Sequence, residues 1–228
     1  MIPILYAANE TSFSTNGIGR LADATYCTVS EARNGEYALE LDIPITSDMF
    51  AELTEGRIIY AEPRPGATRQ AFEIAKIEAP INGIVSIYAP HISYRLNKIV
   101  TMPFTTSSCA LALNALGMNA VNDCPFTFWT DKVVSGNFAV KVPQAIRGLL
   151  GGQEGSILDV YGTGEYEFDM YTVKLHQHRG EDRGVFIRYG KNLQDLTDSS
   201  DTTNIYTGIA PYYANDLGTV TLPEGVIW

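Results

Sequence analysis

The first hundred residues alternate apolar and polar side chains in short runs, and this alternation constrains the fold more than any other feature. The pattern is clearest at 36–43, where Tyr37, Leu39, Leu41 and Ile43 alternate with polar or small residues. Successive side chains of a strand point to opposite faces, so the pattern predicts a strand with one buried and one solvated face. Turn signals recur about every ten residues, which is typical of an antiparallel sandwich or small barrel.

Two Asn-Gly pairs, at 34–35 and 82–83, mark hairpin turns. Asn and Gly both tolerate the positive φ that the two central positions of a type I′ turn require. The first turn is predicted to pair a strand at 25–29 with the strand at 36–43. The other predicted strands are 57–62, 71–78 and 84–89, the last two joined by the second turn. The result is a meander that can close on itself.

The pattern changes after residue 100. Ser108 precedes the largely apolar run 109–116 and Gly117 follows it, which is the arrangement of a capped helix. A second helix is predicted at 143–150, because proline suits the first helical position. Strands are predicted at 126–129 and 138–142, the latter after a turn at 135–137. Residues 101–165 are therefore predicted to form a small α+β domain.

Strand patterns resume in the last part of the chain. Alternation predicts a hairpin at 165–175, turning near 169–170, and a further strand at 185–189. Residues 166–228 are thus interpreted as a β-hairpin region, after an N-terminal barrel or sandwich at 1–100. The predicted fold class is α+β and mainly antiparallel β.

Charge and hydropathy exclude several classes of function. Lys plus Arg number 16 against 26 Asp plus Glu, which gives a net charge of −10. Nucleic-acid and anionic-lipid binding need clustered cations, so neither is expected. No apolar run approaches the roughly 18 residues of a membrane span, and no basic region opens the chain. We expect a protein made in the cytoplasm, without a signal peptide and without membrane insertion.

Metal and cofactor signals are weak. The best metal candidate is the pair His176 and His178, because alternate residues of a strand share a face. A solvated hairpin end explains the pair more simply, so no metal is expected. The glycines at 151–152 and 162–164 lack the continuation of nucleotide-binding loops, so no cofactor is expected. The three cysteines show no Cys-x-x-Cys spacing and are expected to be free thiols.

No local sequence signature of catalysis is present. A nucleophile needs a nearby base, and Cys109 with His91 is the pair that a cysteine peptidase would use. Glu165 and Glu167 are the pair that a glycosidase would use. The apolar neighbours of Cys109 indicate a core position, and the two glutamates fit the polar face of a strand. We therefore expect no catalytic residues and no enzyme activity.

Several segments together resemble the N-terminal region of siphophage and prophage tail proteins, described as minor structural proteins, prophage endopeptidase tails or tail-associated lysins. The resemblance extends over nearly the whole chain. The segments that carry it are IPILY at 2–6, ETSF at 10–13, NGIG at 16–19, EYALE at 36–40, APHISY at 89–94, DCPFTF at 123–128, GSILDVYG at 155–162, and GEYEFD at 164–169 through RYGKN at 188–192. None of these segments is a catalytic motif.

This resemblance implies a hub protein at the tail tip or baseplate, similar to the baseplate hubs of contractile tails. It implies a homotrimer that joins the end of the tail tube to the tip or spike, with DNA only passing through the lumen. The expected partners are the distal tail protein at the tube end and tip or fibre proteins, and the expected location is the virion. It also implies that 166–228 begins an incomplete second barrel.

Two other classes of function remain open. One is a tail-associated cell-wall peptidase or hydrolase, which the family description suggests. The other is a receptor- or carbohydrate-binding tip module, for which Tyr212, Tyr213 and Trp228 are candidate contact residues.

Overall fold

The computed structural model describes residues 2–78, 83–180, 182–192, 208, 210–215, 218–221, 223, 225 and 227. The chain divides into two compact units, Met1–Gly180 and Glu181–Trp228. Strands make up 39% of the structure and helices 14%, and nearly all strand pairs are antiparallel. The predicted fold class, α+β and mainly antiparallel β, is confirmed.

Eight strands in two four-stranded antiparallel sheets form the N-terminal part of the first unit. They are β1 (Ile4–Tyr6), β2 (Gly19–Arg20), β3 (Tyr26–Glu31), β4 (Tyr37–Pro44), β5 (Ile58–Ala61), β6 (Gln70–Glu73), β7 (Lys76–Glu78) and β8 (Ile84–Pro90). Sheet I has the order β2-β1-β5-β6, and sheet II has the order β3-β4-β8-β7. Apolar side chains of both sheets, including Leu5, Leu41 and Phe72, form one buried core. We refer to these two sheets and their shared core as the barrel. A bridge between Phe72 and His91 joins the sheets at one edge.

The clearest predicted strand is confirmed. In β4, Leu39, Leu41 and Ile43 are fully buried, while Glu40 between them is exposed. Its partner β3 pairs with it from Tyr26↔Asp42 to Glu31↔Tyr37, as the first predicted hairpin requires.

The turn of that hairpin differs from the predicted type I′. Asn34 has a φ of 53°, but Gly35 does not have a positive φ. The turn is closed by a hydrogen bond of 3.1 Å from Gly35 N to Ala32 O. The Asn82 of the second predicted turn lies outside the described residues.

The predicted strand at 71–78 is two strands. Ile74 N still donates to Arg57 O of sheet I at 2.8 Å, whereas Ala75 N donates to Tyr88 O of sheet II at 3.0 Å. The chain therefore changes sheets between Ile74 and Ala75, and only β7 pairs with β8. Alternation alone does not reveal such a change, because both strands keep a period of two.

The rest of the first unit is the α+β part. A 3-10 helix (Ile92–Asn97) leads into β9 (Val100–Thr101), β10 (Phe104–Ser108), α1 (Cys109–Met118), β11 (Thr127–Thr130), β12 (Ser135–Val140), β13 (Gln144–Ala145), α2 (Ile146–Leu150), α3 (Ile157–Tyr161), β14 (Glu165–Asp169) and β15 (Thr172–His176). Three small sheets result, with the orders β10-β12, β13-β9 and β11-β15-β14. Their apolar faces and α1 share a second buried core that includes Leu113, Phe138 and Leu175.

Both predicted helices exist with changed bounds. The Ser108 side chain accepts a hydrogen bond from Leu111 N, which confirms the N-cap of α1, but the helix continues past Gly117 to Met118. The second helix starts at Ile146 and not at residue 143, because Gln144 and Ala145 pair with β9.

The turn predicted at 135–137 is wrong. Residues 135–137 lie within β12, where Ser135 is the register partner of Ser108 and Phe138 that of Thr106. The register of this pair shifts between Thr106 and Ser108, which accommodates the extra residue of β12 without a turn.

The hairpin predicted at 165–175 is confirmed as β14 and β15, with Met170 in the turn at a φ of 51°. It lies in the first unit and shares a sheet with β11, whereas the sequence placed it at the start of a third region. The boundary near residue 100 and the second barrel stay predictions.

The second unit contains one described hairpin, β16 (Tyr212–Asn215) and β17 (Gly218–Thr221). The strand predicted at 185–189 is not formed, since residues 182–188 make no ladder and Tyr189 makes only an isolated bridge. Gly184 and Gly190 bracket this segment with positive φ, a conformation that interrupts a strand. In the part of the chain that the structure describes, no helix has the length and apolar character needed to span a bilayer.

Candidate functional site

A buried histidine lies where the barrel meets the α+β part. His91 is fully buried, and its ring stacks on Tyr37 with 4.5 Å between centroids. Its Nδ1 accepts a hydrogen bond from Ser93 N at 3.2 Å, so the proton of the neutral ring resides on Nε2, which lies 3.2 Å from Gln70 Oε1. Burial, together with the nearby charge of Arg147, lowers the pKa of His91 to about 3. The ring is therefore neutral at physiological pH.

The Gln70 carboxamide connects this histidine to the β14–β15 hairpin. Besides the His91 proton, Gln70 Oε1 accepts a hydrogen bond from Met170 N at 2.7 Å, and Gln70 Nε2 donates to Asp169 Oδ1 at 3.0 Å. The Gln70 bond lowers the pKa of Asp169, with Lys174 acting in the same direction against burial. These bonds hold the hairpin turn and explain why Met170 accepts a positive φ that ordinarily favours Gly or Asn.

A second carboxamide holds the other end of β14. Asn34 Nδ2 donates to Gly164 O at 2.7 Å, and Asn34 Oδ1 accepts from Tyr166 N at 2.8 Å. The side chain thus satisfies the free edge of β14 as a neighbouring strand would. Between the two amides, the Arg147 guanidinium lies 4.3 Å from the ring centroid of Phe168. We call Asn34, Gln70, His91 and Arg147 the junction.

Arg147 also contacts the 3-10 helix after β8. Its guanidinium lies 4.3 Å from the Tyr94 ring centroid, so it is stacked between two aromatic rings, and it donates to Ser93 Oγ at 3.0 Å. Burial lowers the pKa of Arg147, but an arginine remains charged at physiological pH. The junction is therefore a hydrogen-bonded and stacked contact that fixes the α+β part on the barrel.

The outer surface of sheet II is rich in acidic side chains. It carries four carboxylates, which we call the acidic face: Glu36, Glu40, Asp42 and Glu78. Glu36 accepts a hydrogen bond from the Tyr88 hydroxyl at 2.7 Å, which raises the pKa of Tyr88 to about 12. Lys76 pairs with Glu78 and is the cation that lines the shallow cleft of about 560 Å³ on this face.

The predicted metal candidates do not converge. His176 Nε2 lies 2.8 Å from Glu167 Oε2, and its Nδ1 lies 4.0 Å from Asp131. His178 is exposed and has no described side-chain partner. Within 2–78, 83–180 and the other described residues, no group of three or more His, Cys, Asp or Glu side chains is placed to hold a metal ion.

Lys174 is the residue that the sequence analysis missed at this site, and Glu167 was considered there only as half of a glycosidase pair. Lys174 Nζ lies 3.2 Å from Glu167 and 3.1 Å from Asp169. Lys174 and His176 therefore both contact Glu167 on one face of the β14–β15 hairpin. Burial works against the charged form of Glu167, but hydrogen bonds from His176 and Lys174 outweigh it and lower the pKa. A correct alignment of the hairpin reveals this pair, because Glu167 and Lys174 lie directly opposite each other on β14 and β15.

The residues considered for catalysis are not paired with each other. Cys109 is fully buried in the second core, and burial raises the pKa of its thiol. Both ring nitrogens of His91 are taken by Ser93 and Gln70. The structure does not bring Cys109 and His91 together as nucleophile and base.

The two glutamates of β14 are engaged in structural contacts. Glu165 forms an ion pair of 3.2 Å with Arg33 and accepts a hydrogen bond from Arg179 N at 3.0 Å. Glu167 is paired with Lys174 and His176. The tip candidates Tyr212 and Tyr213 are exposed, at 72% and 65%, whereas Trp228 lies outside the described residues.

Comparison with known proteins bears on the fold. No protein-family model matches the chain, and no curated protein matches it. Among solved structures, the fold is that of a prophage tail protein. This neighbour is the prophage tail protein gp18 from Listeria monocytogenes EGD-e, at a TM-score of 0.61 and 21% sequence identity over 98% of this chain and 68% of that one. The resemblance to prophage tail proteins is confirmed for the fold.

Removing the Gln70 side chain tests the junction. In Gln70→Ala, the Nε2–H of His91 and the N–H of Met170 lose their acceptor inside the protein, and each buried unpaired donor costs about 1–3 kcal/mol. We expect the free energy of unfolding, measured in urea, to fall by about 2–4 kcal/mol. The matched control is Gln153→Ala, which removes an exposed amide bonded to Gln144 and is expected to change stability by less than about 0.5 kcal/mol. Equal losses in both variants contradict the role of Gln70.

The neutral state of His91 predicts a pH dependence of stability. The unfolded chain takes up a proton near pH 6.5, while the folded chain does so only near pH 3, so stability falls as pH drops between these values. Between pH 7 and pH 5 we expect a loss of about 2 kcal/mol, measured by urea unfolding. His91→Gln is expected to flatten this slope, although it lowers stability at pH 7. His178→Gln keeps the wild-type slope, because this histidine is exposed. An unchanged slope in His91→Gln contradicts the assignment.

Proposed function

We propose that the protein is a structural component of a phage or prophage tail, located in the virion at the tail tip. The observation that carries this proposal is the fold likeness to a prophage tail protein over 98% of the chain. The finer proposal is a homotrimeric hub that joins the tail tube to the tip or spike and contacts the distal tail protein and tip or fibre proteins. The rigid junction supports this role, because a connector has to transmit load without relative movement of its parts.

The acidic face supports the passage of DNA through such a hub. Its four carboxylates lie on one side of sheet II, and the cation on this side, Lys76, is already paired with Glu78. The whole chain carries a net charge of −10. A lumen lined by carboxylates repels phosphates and keeps DNA from adsorbing to the wall. We propose that the acidic face is turned towards the lumen.

A role without catalysis is part of the proposal. The support is that Cys109 is buried in the second core, while His91, Glu165 and Glu167 are engaged in hydrogen bonds or ion pairs. The second candidate function, a receptor- or carbohydrate-binding tip module, is favoured by one observation. Tyr212 and Tyr213 lie exposed on a hairpin, where aromatic rings with polar tips suit a sugar surface.

The oligomeric state tests the hub. We expect light scattering coupled to size exclusion to give about three times the 25.0 kDa of one chain, stable on dilution to about 10 μM. Clearing of Gram-positive cell walls in a zymogram, abolished by Cys109→Ala, would support the peptidase alternative. A monomer at every concentration contradicts the trimer.

Removing the negative charge of the acidic face tests whether this face repels DNA. In the variant Glu40→Gln/Asp42→Asn/Glu78→Gln, the three amides preserve size and remove three negative charges. We expect weak binding of double-stranded DNA at low salt that the wild type lacks, measured by fluorescence anisotropy, because repulsion is reduced. The control Glu52→Gln/Glu154→Gln/Asp159→Asn removes the same charge elsewhere. Equal DNA binding by both variants shows that only net charge matters.

A further inference from the structure

One long edge of sheet II is left without a neighbouring strand. Successive residues of β4 bond alternately to β8 and to β3. On the β8 side, Tyr37 O accepts a hydrogen bond from His91 N at 2.9 Å, and on the β3 side, Glu36 O accepts one from Ala32 N at 2.7 Å. Even-numbered residues of β3 therefore bond to β4. The backbone N–H and C=O groups that point away from the sheet belong to Cys27, Val29 and Glu31.

Open space borders this edge. A cavity of about 570 Å³ separates Cys27 and Val29 from the loop at 61–66, and a second of about 320 Å³ reaches Val29 and Glu31. Five of the six residues of β3 are exposed. Within the part of the chain that the structure describes, no hydrogen bond reaches the outward backbone groups of these three residues. An edge of this kind is a template for pairing with another strand.

We propose that β3 pairs with β3 of a second copy of this chain, antiparallel about a two-fold axis at Val29. Each Val29 then lies opposite Val29 of the partner subunit, and each Cys27 lies opposite Glu31 of the partner subunit. All outward N–H and C=O groups of the three residues find partners, because an antiparallel pair centred on the middle residue is self-complementary. The result is one eight-stranded sheet across two chains.

Side-chain chemistry selects this register. Val29 is half-buried against the barrel core, and Val29 of the partner subunit covers its exposed part. Thr28 meets Ser30 of the partner subunit on the solvent face, a favourable hydroxyl pair. A shift of the axis to Glu31 places two carboxylates opposite each other, which is unfavourable, and leaves outward groups unpaired. In the proposed register, Glu31 keeps its ion pair of 2.6 Å with Arg179.

This contact goes beyond the proposed tail function and does not depend on it. It uses a two-fold axis, whereas the hub uses a three-fold axis. Pairing along one edge buries less than the roughly 1,200 Å² of a stable interface, so the dimer is expected to be weak and concentration-dependent.

Proline substitution removes an outward N–H without touching the bonds to β4. Val29→Pro is expected to abolish the concentration-dependent rise in mass that the wild type shows by light scattering between about 10 and 500 μM, beyond the mass of the species present at about 10 μM. The matched control Val29→Ala keeps the N–H and is expected to retain most of the dimer. Equal dimerisation of Val29→Pro and the wild type overturns the proposal, and so does a wild type that shows no mass increase. A trimer that persists in Val29→Pro supports the hub separately.

Disulfide trapping tests the register even if Val29→Pro fails to fold. Thr28 and Ser30 of the partner subunit form a non-hydrogen-bonded pair, whose Cα atoms lie about 4.5 Å apart, within the range of a disulfide. In a Cys27→Ser background, Thr28→Cys/Ser30→Cys is expected to form a reducible covalent dimer on mild oxidation. Thr28→Cys alone and Ser30→Cys alone are expected to remain monomeric in a denaturing gel. The absence of a covalent dimer from the double variant, or equal dimer from a single variant, overturns the pairing.

Discussion

The arrangement of the first unit depends on one buried carboxamide. Gln70 is 5% exposed and binds His91, Asp169 and the backbone of Met170 at the same time. A carboxamide suits this position because it offers a donor and an acceptor without a charge that burial would penalise. His91 complements it only as a neutral ring, and burial keeps it neutral. Gln70 thus couples the barrel directly to the turn of the β14–β15 hairpin.

Polar contacts at the junction fix the orientation of the α+β part relative to the barrel, which apolar contacts alone do not. Two apolar faces accept many relative rotations, whereas the hydrogen bonds of Asn34 to Gly164 and Tyr166 exist in one register. Arg147 adds a planar group between two rings, which tolerates little tilt. The buried cores supply the larger part of the stability, and the junction defines the geometry.

Sequence patterns predicted the elements whose causes are local. The alternation of Leu39, Leu41 and Ile43 and the cap at Ser108 depend on neighbours in the chain, and both were confirmed. The change of sheet at Ile74 depends on the distant residues Arg57 and Tyr88, so no local pattern reports it. The junction was missed for the same reason, because Asn34 lies 130 residues from Gly164 and resembles an ordinary turn residue.

The same reasoning applies to the reactive residues of the sequence, whose partners come from other parts of the chain. Glu165, Glu167 and His176 each have the chemistry for acid–base catalysis. Lys174 and His176 lie against Glu167 on the hairpin, whereas Arg33 of the β3–β4 turn lies against Glu165. On the β14–β15 hairpin, charged side chains form ion pairs that hold the two strands together. Among the described residues, three of the four carboxylates on the outer side of sheet II form no ion pair, so this face keeps a negative field that acts on approaching molecules.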